Sequence, residues 1–436
     1  PNEAALSLLK KLSTDRDWQV REVAAKSLSH FPPEKAITLL KSLSNDEKSD
    51  VRKAVAKALA KLPPETALPL LENLSTDSDS DVRLAVTQTL SNFSFKTTLP
   101  LLENLSADPS NDVRSAVAKA VSGFPSETAL PLLEKLSNDP DWQVRRAVAE
   151  TLASFPSEIA IPLLTKLSQD QNWQVRRAVA HTLFHFPLKN VLSLLEKLST
   201  DPDYNVRSAF AETLRYLPPE TAIPLIEKLS MDPHWKVRYV ISDQLKHFPS
   251  QIALFFLEKL SNDPDADVRL AIVETLRHFP PETAIPLLES LSNDSNEYVR
   301  IAVVQTLTHV PSKIAFTLLD KLSNDQNDEV RRAIALKLTN SSSKEVIPIL
   351  EKLSIDSKEH IRRAVYKTLL SSFLPNFLPK AIAREDHRTI LNLLSKFPVV
   401  ASCIKFEYEL NPTPFLRKLL SIVSITRQKA DFEVSL

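Results

Sequence analysis

A block of 31 residues recurs along this chain, and it restricts the possible folds more than any other feature of the sequence. Each block contains Leu-Ser-x-Asp, and its aspartate recurs at an unbroken interval of 31 residues through 12 copies. An arginine preceded by valine or isoleucine follows each aspartate six positions later. The aspartates are Asp15, Asp46, Asp77, Asp108, Asp139, Asp170, Asp201, Asp232, Asp263, Asp294, Asp325 and Asp356. A fixed period of this length is typical of stacked repeats rather than of a globular domain.

The copy at residues 125–155 shows what one repeat predicts. Its first half spaces apolar residues as a helix does, with Ser126 as the expected N-cap, and we name this helix A. Asp141 is placed to cap a second amphipathic helix, helix B, which should end at Phe155 because helices rarely run through the residue before a proline. Two such antiparallel helices cannot bury their apolar faces alone, so neighbouring repeats must stack.

Composition removes several classes of protein from consideration. The single glycine, Gly123, excludes a glycine-rich phosphate loop, and the single cysteine, Cys403, excludes a disulfide within the chain and a cysteine-based zinc site. Lys+Arg and Asp+Glu are equal at 54 each, which predicts no general attraction to nucleic acid or to anionic membranes. No apolar run is long enough to span a bilayer and no signal peptide is evident, so a cytoplasmic location is expected.

Helix A adds a third recurring residue, a proline eight positions before the aspartate. It occurs in seven copies, at Pro69, Pro100, Pro131, Pro162, Pro224, Pro286 and Pro348. This proline, the aspartate and the Val-Arg pair resemble the hallmark spacing of HEAT repeats over roughly residues 1–371. The short 31-residue period is similar to that of the compact subgroup that includes phycobilin lyase-type repeats. The resemblance implies hydrogen bonds between the aspartates and arginines of neighbouring repeats, and a concave surface lined by the B helices.

We therefore predict an all-α fold, a right-handed α-solenoid of 12 antiparallel helix pairs with a helical C-terminal cap. The repeat array occupies residues 1–371, and the period is lost in residues 372–436, which we expect to form the cap or an interaction segment. The chain starts in register with a repeat, without an initiator Met or a polar capping unit, which favours further repeats or another domain upstream.

An aromatic residue stands three positions before the arginine in five of the repeats, and we call this set the aromatic column. Its members are Trp18, Trp142, Trp173, Tyr204 and Trp235, which include all four tryptophans of the chain. Helical spacing places Arg146 beside Trp142 and Arg177 beside Trp173, where it allows cation–π contacts, and it places Tyr239 and Lys236 beside Trp235. The predicted binding residues are Trp142, Arg146, Trp173, Arg177, Tyr204, Trp235, Lys236 and Tyr239. These residue types are enriched at interface hot spots, so an exposed helix-B face that binds protein or peptide is one interpretation. The other is that each ring covers the start of its helix and packs on the next repeat.

The function that this pattern favours is a non-catalytic scaffold for a protein or peptide partner, with no cofactor and no metal. We expect it to be the recognition region of a larger protein, for example the sensor of a signalling NTPase. The sequence does not define its oligomeric state.

Three alternatives stay open. Rings between cations also suit nucleic acid, as in HEAT-like DNA glycosylases, although Glu150, Glu212 and Asp243 on the same face argue against it. A second alternative is a role like that of the phycobilin lyases, or of another accessory enzyme subunit. The resemblance to those proteins is limited to the style of the repeat. As a third alternative, His181 and His185, which are four residues apart, could bind a metal ion together with Glu150 or Glu212. The chain contains no His-Glu dipeptide, which argues against the activity of deoxyhypusine hydroxylase, another HEAT-like protein.

Overall fold

The computed structural model describes residues 3–307, 313–338 and 346–368. Within these ranges the chain forms 24 α-helices linked by short turns, with no β-strand. The predicted cap at residues 372–436 lies outside the described residues, so its boundary at residue 371 stays a prediction. None of the described helices combines the length and apolar character that crossing a membrane requires.

Helices A and B alternate along the chain, so odd-numbered helices are A and even-numbered helices are B. The A helices are α1 (Glu3–Leu12), α3 (Pro33–Leu43), α5 (Pro64–Leu74), α7 (Phe95–Leu105), α9 (Ser126–Leu136), α11 (Ser157–Leu167), α13 (Leu188–Leu198), α15 (Pro219–Leu229), α17 (Ser250–Leu260), α19 (Pro281–Leu291), α21 (Lys313–Leu322) and α23 (Ile347–Ser354). The B helices are α2 (Trp18–Leu28), α4 (Ser49–Leu59), α6 (Ser80–Leu90), α8 (Asn111–Ala120), α10 (Trp142–Thr151), α12 (Trp173–Thr182), α14 (Tyr204–Ala211), α16 (Trp235–Gln244), α18 (Ala266–Leu276), α20 (Glu297–Leu307), α22 (Asp328–Lys337) and α24 (Glu359–Thr368).

The chain divides into two compact units, residues 1–225 and residues 226–436, and the division falls within α15. In the first unit each B helix from α2 to α14 packs against the B helix of the next repeat. In the second unit the B helices from α16 to α24 do the same. The A helices pack on their own B helices and, less extensively, on one another. This stacking of helix pairs within each unit confirms the all-α solenoid predicted from the repeat.

The core of each repeat draws apolar side chains from both helices. Leu133 and Leu136 of α9, with Val144 and Val148 of α10, are at most 1% exposed. Fully burying a side chain of this kind contributes about 1.5–3 kcal/mol. Ala149 is also fully buried, and its short side chain lets consecutive B helices approach closely.

The helix ends confirm one predicted cap and correct another. The Asp141 Oδ1 accepts a hydrogen bond from the backbone N–H of Gln143 at 2.7 Å, as an N-cap should. Ser126 is not an N-cap, because α9 already begins there and Pro125 precedes it without a side-chain cap. A proline lacks an N–H and has a fixed φ, so it suits the start of a helix without a polar cap.

Helix B ends as predicted, before the Phe-Pro pair. Helix α10 stops at Thr151, and a 3₁₀ turn over Leu152–Ser154 follows it. Phe155 is extended, with φ −106° and ψ 155°, which is the conformation favoured before proline.

The recurring arginines join neighbouring repeats, as the resemblance implied, and Arg145 shows how. The Arg145 Nε and Nη2 donate to the two carboxylate oxygens of Asp170 in the next repeat, at 2.6 and 2.9 Å. Its Nη1 donates to the carbonyl oxygen of Asp139 in its own repeat, at 2.7 Å. The Asp170 Oδ1 also accepts from the backbone N–H of Asn172, at 2.9 Å. We call this bidentate pair the Arg–Asp clamp, and it fixes the turn of one repeat to the next.

The clamp recurs along both units. In the first unit the pairs are Arg21–Asp46, Arg52–Asp77, Arg83–Asp108, Arg114–Asp139, Arg145–Asp170 and Arg176–Asp201. In the second unit they are Arg238–Asp263, Arg269–Asp294, Arg300–Asp325 and Arg331–Asp356.

The clamp shifts the pKa of several of its aspartates. Burial acts to raise the pKa of Asp46, Asp77 and Asp170, but hydrogen bonds from the arginine and from a backbone N–H outweigh it, and the pKa of each lies below its usual value. For Asp356 the hydrogen bond from Arg331 is the largest effect, and the pKa is again lowered. These carboxylates therefore stay ionised in the folded chain at neutral pH.

Breaking one clamp should destabilise the chain more than breaking an exposed ion pair. The Arg145 and Asp170 side chains are 17% and 8% exposed, so Asp170→Asn should leave a largely buried guanidinium without its counter-ion. We expect a loss of about 2–3 kcal/mol in the free energy of unfolding, below the range for fully buried pairs. Urea unfolding followed by circular dichroism measures it.

Glu150→Gln is the matched control, because it removes the exposed ion pair with Arg146. Its expected cost is below about 0.5 kcal/mol. Equal losses for the two variants would contradict a structural role for the clamp.

Acid should weaken the fold through the same aspartates. Their pKa values are lowered in the folded chain, whereas an unfolded aspartate titrates near about 3.9, so the unfolded chain binds more protons in acid. The clamp contribution should be complete above about pH 5 and lost as the pH falls through about 4 and below. Thermal unfolding at a series of pH values tests this, and a melting temperature that is constant from neutral pH to pH 3 would refute it.

Candidate protein-binding surface

The aromatic column lies at the N-termini of B helices. Trp18, Trp142, Trp173, Tyr204 and Trp235 are the first residues of α2, α10, α12, α14 and α16. The residue before each ring is the N-cap of its helix, whose side chain accepts a backbone hydrogen bond: Asp17, Asp141, Asn172, Asp203 and His234. The N-cap residue in each turn therefore fixes where helix B begins, and with it the position of the aromatic residue that follows.

The column is less exposed than the helical wheel predicted. Each of the five rings is half-buried, whereas Tyr216 and Tyr298 elsewhere in the chain are 62% and 65% exposed. Part of each ring packs against protein and the remainder faces outward. Packing and recognition thus share these residues, and their assignment as a binding site stays a prediction.

Three consecutive B helices of the first unit arrange their outer side chains in rows. We call this set the grid: Trp142, Arg146 and Glu150 on α10; Trp173, Arg177 and His181 on α12; Tyr204 and Ser208 on α14, where the Ser208 hydroxyl is buried, with Glu212 at the C-cap of that helix. Within a helix the members are four residues apart, so the rows are separated by about 6 Å. Helices that pack directly lie about 8–10 Å apart. The grid therefore presents an aromatic row, a row with two arginines, and a row with two carboxylates and a histidine.

Arg146 forms an ion pair within the grid in place of the cation–π contact that was predicted for it. The Arg146 Nε donates to the Glu150 Oε1 at 2.7 Å, so its guanidinium turns to the carboxylate. The cation–π contact of Arg146 with Trp142 that the spacing predicted is not found among these described residues. A charge-assisted hydrogen bond is stronger than an exposed cation–π contact, which accounts for the difference.

Arg177 is the available cation of the grid. It is exposed, and among the described residues it forms no ion pair or ring contact. It lies one helical turn from Trp173 and one turn from His181. An exposed guanidinium next to half-buried rings is suited to bind a carboxylate of a partner.

His181 takes part in the electrostatics of the third row. Its Nε2 lies 3.9 Å from the Glu212 Oε2. Burial lowers the pKa of His181 and Arg177 lowers it further, while Glu212 and Glu150 act in the opposite direction without overcoming burial. At neutral pH His181 is therefore an uncharged ring, and the row carries net negative charge.

The second unit contains its own aromatic cluster around Trp235. The Trp235 and Tyr239 rings meet edge to face at 6.4 Å, and the Lys236 Nζ lies 5.6 Å from the Trp235 ring centre, as the spacing predicted. The His234 ring stacks on Trp235 at 6.1 Å. Burial raises the pKa of Tyr239, and the negative charge of Glu274 adds to the effect. The cluster is thus a packed set of rings at the start of α16.

The sequence pattern missed one aromatic cluster in the first unit. The Phe184 and Tyr216 rings are 5.8 Å apart, in the 3₁₀ turns that follow α12 and α14. The Arg215 guanidinium lies 4.8 Å from the Tyr216 ring centre and donates to its hydroxyl at 2.8 Å. The available signal was an extra aromatic residue two positions before Phe186, outside the apolar stripe of helix B.

The structure does not assemble the alternative metal site. His181, His185, Glu150 and Glu212 are not among the groups of three ligands that come close enough to share an ion in the described residues. Asp328, Glu329 and His360 do form such a group. However, the Arg332 Nη1 lies 3.0 Å from the Glu329 Oε2, and this cation opposes a metal there.

A scan against protein families matches HEAT repeats at residues 5–91, 70–139, 97–184, 131–215, 253–319 and 314–384. The chain belongs to the HEAT-repeat family. A comparison with curated proteins finds no match.

Solved structures with a similar fold include proteins captured with protein partners. The chain is 14% identical to Kap121p with a TM-score of 0.59, over 98% of this chain and 55% of that one. It is 13% identical to Kap95p, in a structure on RanGDP and nuclear import complex assembly, with a TM-score of 0.54 over 95% of this chain and 68% of that one. Kap121p bound to Pho4p gives a TM-score of 0.53 at 14% identity, over 95% of this chain and 53% of that one. The chain spans about half the length of Kap121p, and these identities establish the fold alone.

The pKa of His181 should respond in opposite directions to its two charged neighbours. Arg177→Gln removes a cation and should raise the pKa, whereas Glu212→Gln removes an anion and should lower it further. NMR titration of the His181 ring measures both shifts. Shifts of the same sign in the two variants would contradict the arrangement of the grid.

Proposed function

We propose that this chain is a non-catalytic scaffold that binds a protein partner through the grid on α10, α12 and α14. The observation that carries the proposal is Arg177, an exposed cation without an ion pair among the described residues, set beside half-buried aromatic rings. Family membership supports a role built on an extended repeat surface. The fold by itself names no partner.

The chemistry of the grid indicates what the partner presents. Arg177 favours an acidic side chain, and the aromatic row favours an adjacent apolar or planar side chain. The uncharged His181 and the carboxylates of Glu150 and Glu212 disfavour a long run of negative charge. A protein segment with one acidic residue next to an apolar one fits this pattern better than a nucleic acid backbone does.

Partner capture with charge-reversed protein tests the proposal. The purified chain and Arg177→Glu are each used to capture proteins from a cell lysate, which are then identified by mass spectrometry. Arg177 is exposed, so the variant should fold, and circular dichroism checks that it does. We expect the partner to be retained at least about tenfold less by Arg177→Glu, the size of effect seen when a hot-spot contact is lost.

Two matched variants separate recognition from packing. Trp173→Ala should lose the same partner, whereas Trp18→Ala should keep it, because α4 and α6 begin with Ser49 and Ser80 and offer no neighbouring ring. If all variants retain the same proteins, the column serves packing and the proposal fails. If nuclease treatment removes the captured material, nucleic acid is the partner instead.

The role of this chain as the recognition region of a larger protein, such as a signalling NTPase, is a further part of the proposal. The genomic reading frame upstream of Pro1 tests it, and a start codon within a few residues of Pro1 would contradict it.

A further inference from the structure

Lysines bridge the grooves between consecutive A helices in several repeats. The Lys135 Nζ donates to the Ser106 Oγ of the preceding repeat at 2.7 Å. In the next repeat, the Lys166 Nζ donates to the Ser137 Oγ at 2.9 Å and to the Asn138 Oδ1 at 2.6 Å. These lysines occupy the same position in the 31-residue repeat, two residues before the Leu-Ser-x-Asp serine.

The same lysine position reaches a similar set of acceptors in the second unit. The Lys321 Nζ donates to the Asn293 Oδ1 at 2.8 Å. The Lys259 Nζ lies 4.0 Å from the Glu227 Oε1, and the Lys352 Nζ lies 3.5 Å from the Asp320 Oδ1. The acceptors across these grooves are thus a carboxylate near the end of helix A, the serine that ends the helix, and the residue after it.

Helix α19 lacks this lysine, and a cavity occupies the groove beside it. Ser290 stands at the lysine position, where Glu-Ser-Leu replaces the more common Glu-Lys-Leu. The cavity between α17 and α19 has a volume of about 310 Å³. Its lining consists of Leu254, Glu258, Ser261, Asn262, Thr283, Pro286, Leu287 and Ser290.

The cavity holds all three kinds of acceptor that bind lysine in the other grooves. Glu258 corresponds to Glu227 and Asp320, Ser261 to Ser106 and Ser137, and Asn262 to Asn138 and Asn293.

Within the described residues, these acceptors are available to a ligand. The side chains of Glu258 and Asn262 have no hydrogen-bond or ion-pair partner there, and both residues are exposed. The Ser261 hydroxyl donates to the Glu258 carbonyl oxygen at 2.7 Å, which leaves its lone pairs free to accept. Leu254, Pro286 and Leu287 supply an apolar surface for an alkyl chain.

We propose that this cavity binds the side chain of a lysine from a partner protein, in place of the lysine that α19 lacks. The ammonium group donates to Glu258, Ser261 and Asn262, and the alkyl chain lies on the leucines and Pro286. Charge complementarity selects this occupant, because the carboxylate and the C-terminal end of α17 both favour a cation. A purely apolar side chain would leave the three acceptors without a donor.

The neighbouring cation does not occupy the site. The Lys259 Nζ lies 4.3 Å from the Phe255 ring centre, and Lys259 does not line the cavity. The cavity lies between A helices, so this site is separate from the grid and does not depend on the function proposed for it.

Titration with a lysine derivative tests the site. The full chain, with ¹³C-labelled leucine methyls, is titrated with Nα-acetyl-lysine N-methylamide while the Leu254 and Leu287 signals are followed. We expect saturable shifts with a Kd on the order of 1 mM, the affinity typical of a ligand of this size. The same compound acetylated at Nε has lost its charge and should cause shifts at least about fivefold smaller at equal concentration.

Variants identify the groups involved. Ser290→Lys restores the internal lysine and should weaken binding by about tenfold or more, because the tethered ammonium competes at a high effective concentration. Glu258→Gln should weaken binding about two- to fivefold, as expected for a partly exposed ion pair. Ser42→Lys adds the same charge at the equivalent position of α3 and should leave binding unchanged.

The outcomes are decisive in both directions. Loss of binding in Ser290→Lys but not in Ser42→Lys supports the site. Equal shifts with the charged and acetylated compounds, or unchanged binding in Ser290→Lys, would overturn the proposal. Failure of partner capture by the grid would leave this result unaffected.

Discussion

The Arg–Asp clamp is the interaction on which the solenoid depends. Apolar burial drives the helices together but is not directional, so it does not fix how far one repeat is turned against the next. The clamp supplies that direction, since one guanidinium binds the carboxylate of the next repeat and a carbonyl oxygen of its own. The same carboxylate also holds the backbone of its turn. One residue pair thus sets both the turn between helices A and B and the stacking of neighbours.

The repeat made the helix pairs predictable from sequence, because they follow from spacing within one period, and the resemblance to HEAT repeats implied the clamp. The start of α9 was predicted one residue off, since Ser126 resembles an N-cap but proline already starts the helix. The predicted contact of Arg146 with Trp142 was also wrong, since Arg146 binds Glu150 instead. A helical wheel places both residues within reach of Arg146 but does not show which contact is the more stable. The exposure of the rings and the cavity beside Ser290 depend on packing between repeats, which a single period does not specify.

The two proposed sites lie on different helices of the repeat and arise from opposite departures from its pattern. On the B helices, the grid arises where aromatic residues and arginines are added at outward positions of a regular frame. On the A helices, the cavity arises where a bridging lysine is absent and its acceptors are left behind. In both cases the residues that recur in every repeat build the helix pairs and their stacking. The residues that vary between repeats supply the groups that would contact a ligand. None of these varying residues is a member of the clamp, so variation at these positions changes the surface and leaves the clamp in place.

The reach of the clamp also limits how such a chain can change its length. Each arginine of a clamp binds the aspartate 25 residues further along the chain, as Arg145 binds Asp170. Inserting or deleting one residue within a helix between them would rotate the part of that helix beyond the change by about 100° and separate the pair. Adding or removing an entire 31-residue block leaves every remaining pair in register. Gain or loss of whole modules is therefore the change of length that keeps the clamp intact, and each module gained supplies a further helix-B surface.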